Sequence, residues 1–396
     1  MHNVRSIKGH FQAFMSIICK HTGLLFSIAV PLFLIFSFIL AICQPKDINY
    51  LENRPAYQFP SFTLQGYLDS AFQNDMENAL SDQIFGAQWM KKQFNFLNSS
   101  IVLSLLKPAL VAHPELFFQY QDVYIHDGYI LWQPFDLEPL KPAFVSTADS
   151  FNSIIRKNPD IGFYLYFVES DAVIDFQSGK RNPVYEYICQ LMDIPEERCA
   201  KFAINSFPQY ETEFYKTDHH WNNKGSYRGY LEILQLLECK DVPLQPLEEV
   251  FISYPMAGTK AVQVGLTELK ETCSVYRFAY PELHVQYGHQ EEVLSNPENS
   301  FFGYEYFYGT NKGLLTFFNE NSENGNLLII GDSFDNAILK LIASHYSHTY
   351  SVDLRNYEAE TGTSFRFGSF LESYQIDNVL ILASQVVFCG DYIVED

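Results

Sequence analysis

Positive charge is scarce in this chain. Its 396 residues hold 26 Lys and Arg against 47 Asp and Glu, a formal net charge of −21. No basic patch relieves that balance, so phosphate backbones would be repelled and nucleic acid is excluded as a partner. Anionic lipid would be repelled too, which leaves a neutral or cationic polymer as the electrostatically compatible substrate. Cysteine is sparse at seven, with no Cys-x-x-Cys, so neither a dithiol redox centre nor a zinc knuckle has support. Repeats and low-complexity tracts are absent, and 47% apolar content is enough for one large or two modest globular units. Acidic residues are missing altogether before Asp47.

That acid-free start contains a long apolar run. Residues 23–42 are 20 uncharged positions rich in Leu, Ile and Phe, enough to cross the ~30 Å hydrocarbon core as a helix, with Pro31 tolerated inside it. Arg5, Lys8 and Lys20 precede the run, so the positive-inside rule leaves the N-terminus in the cytoplasm and the bulk of the chain outside. The run exceeds an ordinary signal core of about 7–15 residues and lacks a small-x-small cleavage site, which favours an uncleaved anchor. All 47 acids lie beyond it with 23 of the 26 bases, so the exterior part carries −24. Cys189 and Cys199 close a short loop; they are either a disulfide or two small buried hydrophobes.

The chemistry is carried by two distant runs. Asp218-His219-His220-Trp221 supplies a carboxylate and imidazoles, and Gly331-Asp332-Ser333 supplies a hydroxyl. A serine attacks carbonyls when an imidazole takes its proton, and the imidazole serves when a carboxylate fixes its tautomer. In an extended segment Asp218 and His220 share a face, with His219 turned away. Leu327-Leu328-Ile329-Ile330 reads as a buried strand and 335–346 has helical spacing, which puts Ser333 in a strand-to-helix turn at the positive end of a helix dipole. Asp332 reads as a turn or cap residue. A metal held by Asp218, His219 and His220 is the competing reading, but adjacent histidines in a strand point apart; neither metal nor cofactor is expected. Trp221 either packs beneath the histidine or stacks on a sugar.

Strand-like and helical runs alternate from Phe163 onward: 163–168, a helix over 226–237, then 327–330, 335–346, 349–352, 365–374 and 378–382. Such alternation implies an α/β fold, a mainly parallel sheet with helices on both faces and ligands beyond the carboxyl ends of the strands. The aromatic-rich stretch 250–318 breaks the pattern and is expected to be an insertion, its rings either core packing or a sugar-stacking wall. The expected layout is a cytoplasmic segment over 1–22, a transmembrane anchor over 23–42, a tether with short helices over 43–110, and the α/β domain over 111–396.

The two motifs together resemble those of the bacterial DHHW protein family, similar in turn to the SGNH-hydrolase-like polysaccharide O-acetyltransferases of the alginate type. The resemblance takes in Glu52-Asn53-Arg54-Pro55, Asp82-Gln83, Asp127-Gly128-Tyr129 and Val352-Asp353-Leu354-Arg355, and so most of residues 50–396. An arginine expected shortly after Asp82-Gln83 is absent. The resemblance implies an SGNH-like domain with Ser333 as nucleophile, His220 as base and Asp218 as its orienting carboxylate. It further implies acetyl transfer to a cell-surface or secreted polysaccharide, with a membrane-bound O-acyltransferase as donor. Gly309 and Asn311 are candidate oxyanion donors beside the Ser333 N–H. A carbohydrate esterase would use the same residues with water as acceptor, and a non-catalytic polysaccharide-binding scaffold is the third reading.

Overall fold

The computed structural model describes residues 23, 26–46, 48–49, 54–113, 115–252, 255–287, 290–293 and 311–390, which divide into two compact units, Met1–Leu97 and Asn98–Asp396. In the first unit, helix α1 (Phe26–Cys43) has a mean hydropathy of 2.6 and is a candidate membrane span. A two-strand ribbon, β1 (Ile48–Asn49) with β2 (Arg54–Pro55), and helices α2 (Leu64–Leu68) and α3 (Ala71–Gln83) follow. The Asp82-Gln83 pair is structural here. The buried Asp82 carboxylate accepts from Asn49 Nδ2 at 2.8 Å and the Tyr57 N–H at 2.9 Å, while Gln83 Oε1 accepts from the Lys46 N–H at 2.7 Å.

Where short helices were expected before residue 110, the chain forms one helix of 26 residues, α4 (Ala87–Ala112), with Pro108 inside its last turns. The second unit then opens with a three-stranded antiparallel meander, β3 (Phe118–Tyr120), β4 (Val123–His126) and β5 (Tyr129–Trp132). After it come α5 (Lys141–Lys157), β6 (Gly162–Val168), α6 (Val184–Leu191), β7 (Cys199–Phe202), α7 (Phe207–Glu213) and α8 (Asn223–Leu236). A hairpin of β8 (Pro246–Phe251) and β9 (Ser274–Phe278) encloses α9 (Thr259–Gln263). Strands β10 (His284–Tyr287), β11 (Gln290–Val293), β12 (Leu314–Phe318) and β13 (Asn326–Gly331) lead to α10 (Leu339–Ala343), β14 (His348–Val352), α11 (Leu354–Thr361), α12 (Phe367–Ser373) and β15 (Asn378–Ala383).

Eight of these strands form one sheet in the order β11-β10-β12-β14-β13-β15-β6-β7. The five from β14 to β7 run parallel, and the other three pair antiparallel at one edge. A parallel strand covered on both faces reads as an unbroken apolar run, and Leu327 to Ile330 and Val379 to Leu382 are all fully buried. The segment read as an insertion is therefore partly sheet: β10, β11 and β12 extend the central layer. A second, smaller core joins Val123, Ile125 and Ile130 of the meander to Ala261, Val264 and Leu266 at α9, with Val102, Leu106 and Leu110 of α4 packed against it. This core seats α9, and α9 reaches the site.

Candidate active site

Ser333 stands just past the carboxyl end of β13, where the chain must turn sharply. Asp332 makes the turn: its Oδ1 accepts from the Phe334 N–H at 3.1 Å, and its Oδ2 accepts from the N–H and hydroxyl of Ser384, past the end of β15, at 2.8 and 2.7 Å. Gly331 is required because a Cβ there would come within 2.1 Å of Asp335 Oδ2. The helix expected over 335–346 is broken into a 3₁₀ turn, Asp335–Ala337, and the five-residue α10. The expected helix dipole behind Ser333 is correspondingly reduced to a single 3₁₀ turn. The break follows from burial of Asp335, whose carboxylate tucks in under Gly331 and accepts from Ser351 Oγ at 3.0 Å.

The histidine arrives from the other side. His220 Nε2 lies 2.7 Å from Ser333 Oγ, and His220 Nδ1 lies 2.6 Å from Asp218 Oδ1. The sequence motif is not extended, as expected, but bent, because the same Asp218 Oδ1 also accepts from the His220 N–H at 3.0 Å. One consequence corrects the alternating orientation expected of the two histidines. The His219 ring does not face away: its centroid is 3.9 Å from that of His220, and its Nδ1 is 3.6 Å from Asp218. Desolvation, then the neighbouring His220, holds the His219 imidazole below its ordinary value, so it is neutral.

Asp218 is itself fixed from α9. Its Oδ2 accepts from the Thr259 N–H at 2.7 Å, and the Gly258 N–H donates to Thr217 Oγ1 at 2.9 Å. Gly258 is pressed so close that a Cβ would sit 2.5 Å from Asp218 Cβ and 2.7 Å from its Cα. Upstream, Glu271 clamps the approach, accepting from the Lys216 and Thr217 N–H groups at 2.8 and 2.7 Å. Burial opposes charge on Asp218, but the His220 imidazole and its hydrogen bond prevail and hold the carboxyl well below the usual range. A buried, ionised acceptor on Nδ1 leaves Nε2 as the basic nitrogen facing the hydroxyl.

Trp221 does not face substrate. It is fully buried, donates Nε1–H to the Phe334 carbonyl at 3.1 Å, and crosses the Phe334 ring edge to face at 5.6 Å. Trp221 therefore ties the histidine segment to the serine turn from beneath, and the sugar-stacking reading is withdrawn. Asn311 is brought to the serine turn through Asn336, whose Nδ2 donates to Asn311 Oδ1 at 2.8 Å. Gly309, like the aromatic stretch 301–308, lies outside the described residues. Gly258, Thr259, Glu271, Ser384 and Phe334 were not singled out by sequence. None carries a pattern: each acts through a backbone group or a contact that appears only on folding. Cys189 and Cys199 are hydrogen-bonded neighbours with free thiols. A cavity of about 400 Å³ lined by His284, Phe318, His348, Tyr350 and Tyr374 lies at the start of β14, the opposite end of the parallel strands from Ser333.

No family model matches the chain, and no curated protein matches it in sequence. Solved structures do. A DHHW family protein from Eubacterium siraeum aligns over 69% of this chain and 94% of its own, at 14% identity and a TM-score of 0.55. Bacillus cereus PatB1, in a structure with a sulfonyl adduct, aligns over 70% of this chain and 98% of its own, at 17% identity and a TM-score of 0.54. The O-acetyltransferase domain of Pseudomonas putida AlgJ aligns over 68% of this chain and 91% of its own, at 10% identity and a TM-score of 0.36. The first two establish a shared fold: a mixed α/β domain around one large sheet.

Proposed function

We propose that this protein is a membrane-anchored, extracytoplasmic O-acyltransferase that transfers acetyl groups to a cell-surface or secreted polysaccharide. The observation that carries the reading is the hydrogen-bonded series Asp218–His220–Ser333, at 2.6 and 2.7 Å, beyond the carboxyl ends of parallel strands. In this reading His220 Nε2 takes the Ser333 proton as Oγ attacks the acyl carbonyl, and the protonated imidazole then returns that proton to the leaving group. Asp218 stabilises the imidazolium throughout, and the Ser333 N–H and the Asn311 amide are assigned to the oxyanion. A sugar hydroxyl, deprotonated by His220, attacks the Ser333 ester, which releases the O-acetyl sugar and restores the serine.

The resemblance of the two motifs to the DHHW and alginate-type proteins supports the choice of acetyl group and polysaccharide, with a membrane-bound O-acyltransferase as the donor's source. Helix α1 supports anchoring, and Arg5, Lys8 and Lys20 before it support a cytoplasmic N-terminus. The layout proposed is an anchor near residues 23–42, a tether to about residue 110 and a domain of 111–396.

The test uses a sulfonyl fluoride, the reagent class suggested by the sulfonyl adduct on PatB1. Intact mass should show a single adduct, mapped to Ser333 and abolished in Ser333→Ala. With an acetyl ester as donor and an oligosaccharide as acceptor, acetylated sugar should accumulate. Acetate alone would make the protein an esterase, and an unlabelled Ser333 with no turnover would leave only a binding role.

A further inference from the structure

The far end of α8 carries a second cluster that the triad does not use. Helix α8 is capped at its start by Asn222, next to the histidine motif, and it closes with Glu238 at φ 52, the left-handed region. The Cys239 N–H then returns to the Leu234 carbonyl at 2.9 Å and the Glu238 N–H to Gln235 at 3.1 Å. That closure turns Cys239 and Asp241 towards His345, which lies between α10 and β14. One ligating atom from each of the three, Sγ, a carboxylate oxygen and a ring nitrogen, falls within 4.8 Å of the others. These side chains come from two stretches of chain about a hundred residues apart.

We propose that Cys239, Asp241 and His345 hold a zinc ion. A tetrahedral zinc with ligand bonds of about 2.0–2.2 Å spaces its nitrogen and oxygen ligands about 3.4 Å apart. His345 Nδ1 and Asp241 Oδ2 stand at 3.5 Å. That gap is wide for a charge-assisted hydrogen bond, whose usual length is about 2.7–2.9 Å, and suited to two ligands of one ion. The outer partners a zinc site needs are also in place. Tyr230 OH meets His345 Nε2 at 2.7 Å and accepts from the Leu244 N–H at 2.8 Å, so the ring is oriented with Nδ1 towards the cluster. Asn324 Nδ2 donates both to Asp241 Oδ2 at 2.9 Å and to the His345 carbonyl at 2.7 Å, and Ser322 Oγ donates to that carbonyl at 2.9 Å.

The donor set, one thiolate, one imidazole and one carboxylate, selects zinc over the oxygen-seeking magnesium and calcium. Three protein ligands leave a fourth position, on the side of the exposed Asp241, for water. The ligating forms are the neutral imidazole and the thiolate, so the thiol must lose its proton. Binding exchanges one S–H bond for one S–Zn bond and releases one proton to solvent, so affinity should rise with pH. The ion would clamp the end of α8 to the start of β14, and the other end of α8 follows directly from His220.

The full chain, purified in detergent and stripped with chelator, is loaded with Co²⁺ as a spectroscopic stand-in and separately with Zn²⁺. The expected result is one metal per chain, a thiolate-to-cobalt charge-transfer band in the near ultraviolet, tetrahedral visible bands and a higher Tm with zinc. Cys239→Ser should abolish the charge-transfer band, and Asp241→Asn, at an exposed position that does not threaten folding, should weaken binding about tenfold or more. His219→Ala should leave the spectrum unchanged, because it belongs to the other His/Asp group, at Asp218, and not to this one. Absence of stoichiometric metal, a Cys239→Ser spectrum identical to wild type, or loss of binding in His219→Ala would each overturn the site.

Discussion

Asp218 joins the backbone and the proposed base, His220, through one carboxylate. Oδ1 accepts from both the N–H and the ring of His220, so the atom that bends the chain also sets the tautomer. Asp218→Asn keeps the bend but offers an amide to the imidazole; turnover should fall by about ten-thousandfold with the circular dichroism spectrum unchanged. Ser333→Ala and His220→Ala should each cost nearly as much as the double variant, since the members act as a unit, and a multiplicative double-variant loss would argue against the triad. Gly258→Ala drives a Cβ into Asp218 and should lower kcat by shifting the carboxylate, read as a weaker low-field imidazole proton resonance in NMR. Asp335 offers a pH test. Burial, with Asp332 and Asp353 nearby, holds its carboxyl well above the ordinary 3.8. The folded state therefore binds that proton more tightly than the unfolded chain, and the contribution is fully present below 3.8 and is lost as pH rises through the raised value. Asp335→Asn keeps an acceptor for Ser351 without the titration. Its urea midpoint, relative to wild type, should climb between pH 4 and pH 8; a constant difference would refute the assignment.

At the scale of elements, the parallel strands were legible because burial on both faces leaves unbroken apolar runs such as Leu327 to Ile330. What was not legible depended on single contacts. The periodicity of 335–346 is genuinely helical, yet the pull of Asp335 beneath Gly331 breaks it into a 3₁₀ turn and α10. Short helices were expected before residue 110, whereas α4 is one helix that continues through Pro108. The motifs marked Asp218, His220 and Ser333 as partners, but α9, which holds Asp218, was hidden inside a stretch read as an insertion. That short helix is anchored by a buried ion pair: Lys260 Nζ donates to Asp171 Oδ2 at 3.0 Å and to Tyr210 OH at 2.9 Å, and both charged side chains are wholly buried. Lys260→Met leaves the Asp171 charge uncompensated and should cost about 3–5 kcal/mol in urea unfolding. Because Thr259 precedes Lys260, kcat should fall as well. Lys260→Met with Asp171→Leu should recover most of the stability; no recovery would mean that Lys260 acts by packing and not by charge.

For the whole molecule, the apolar run at residues 23–42 is the candidate tie to a membrane, and α4 gives the chain a second apolar surface. Met90, Phe94, Leu97, Ile101 and Leu105 recur at helical spacing, and each is more than half exposed. Such a stripe suits the boundary between headgroups and acyl chains. A chain beginning at residue 44 should therefore not behave as a freely soluble domain, despite the loss of α1. Its −24 charge opposes anionic lipid while the stripe favours any bilayer, so binding should be stronger to zwitterionic than to anionic vesicles, with the gap closing as salt rises. Replacing Phe94, Leu97, Ile101 and Leu105 with Gln should release that chain into solution with little change in Tm, because these side chains are mostly exposed and belong to neither main core cluster. If the unsubstituted chain stays in the supernatant on vesicle flotation, α4 is not a membrane-facing surface and the apolar run at residues 23–42 is left as the sole anchor.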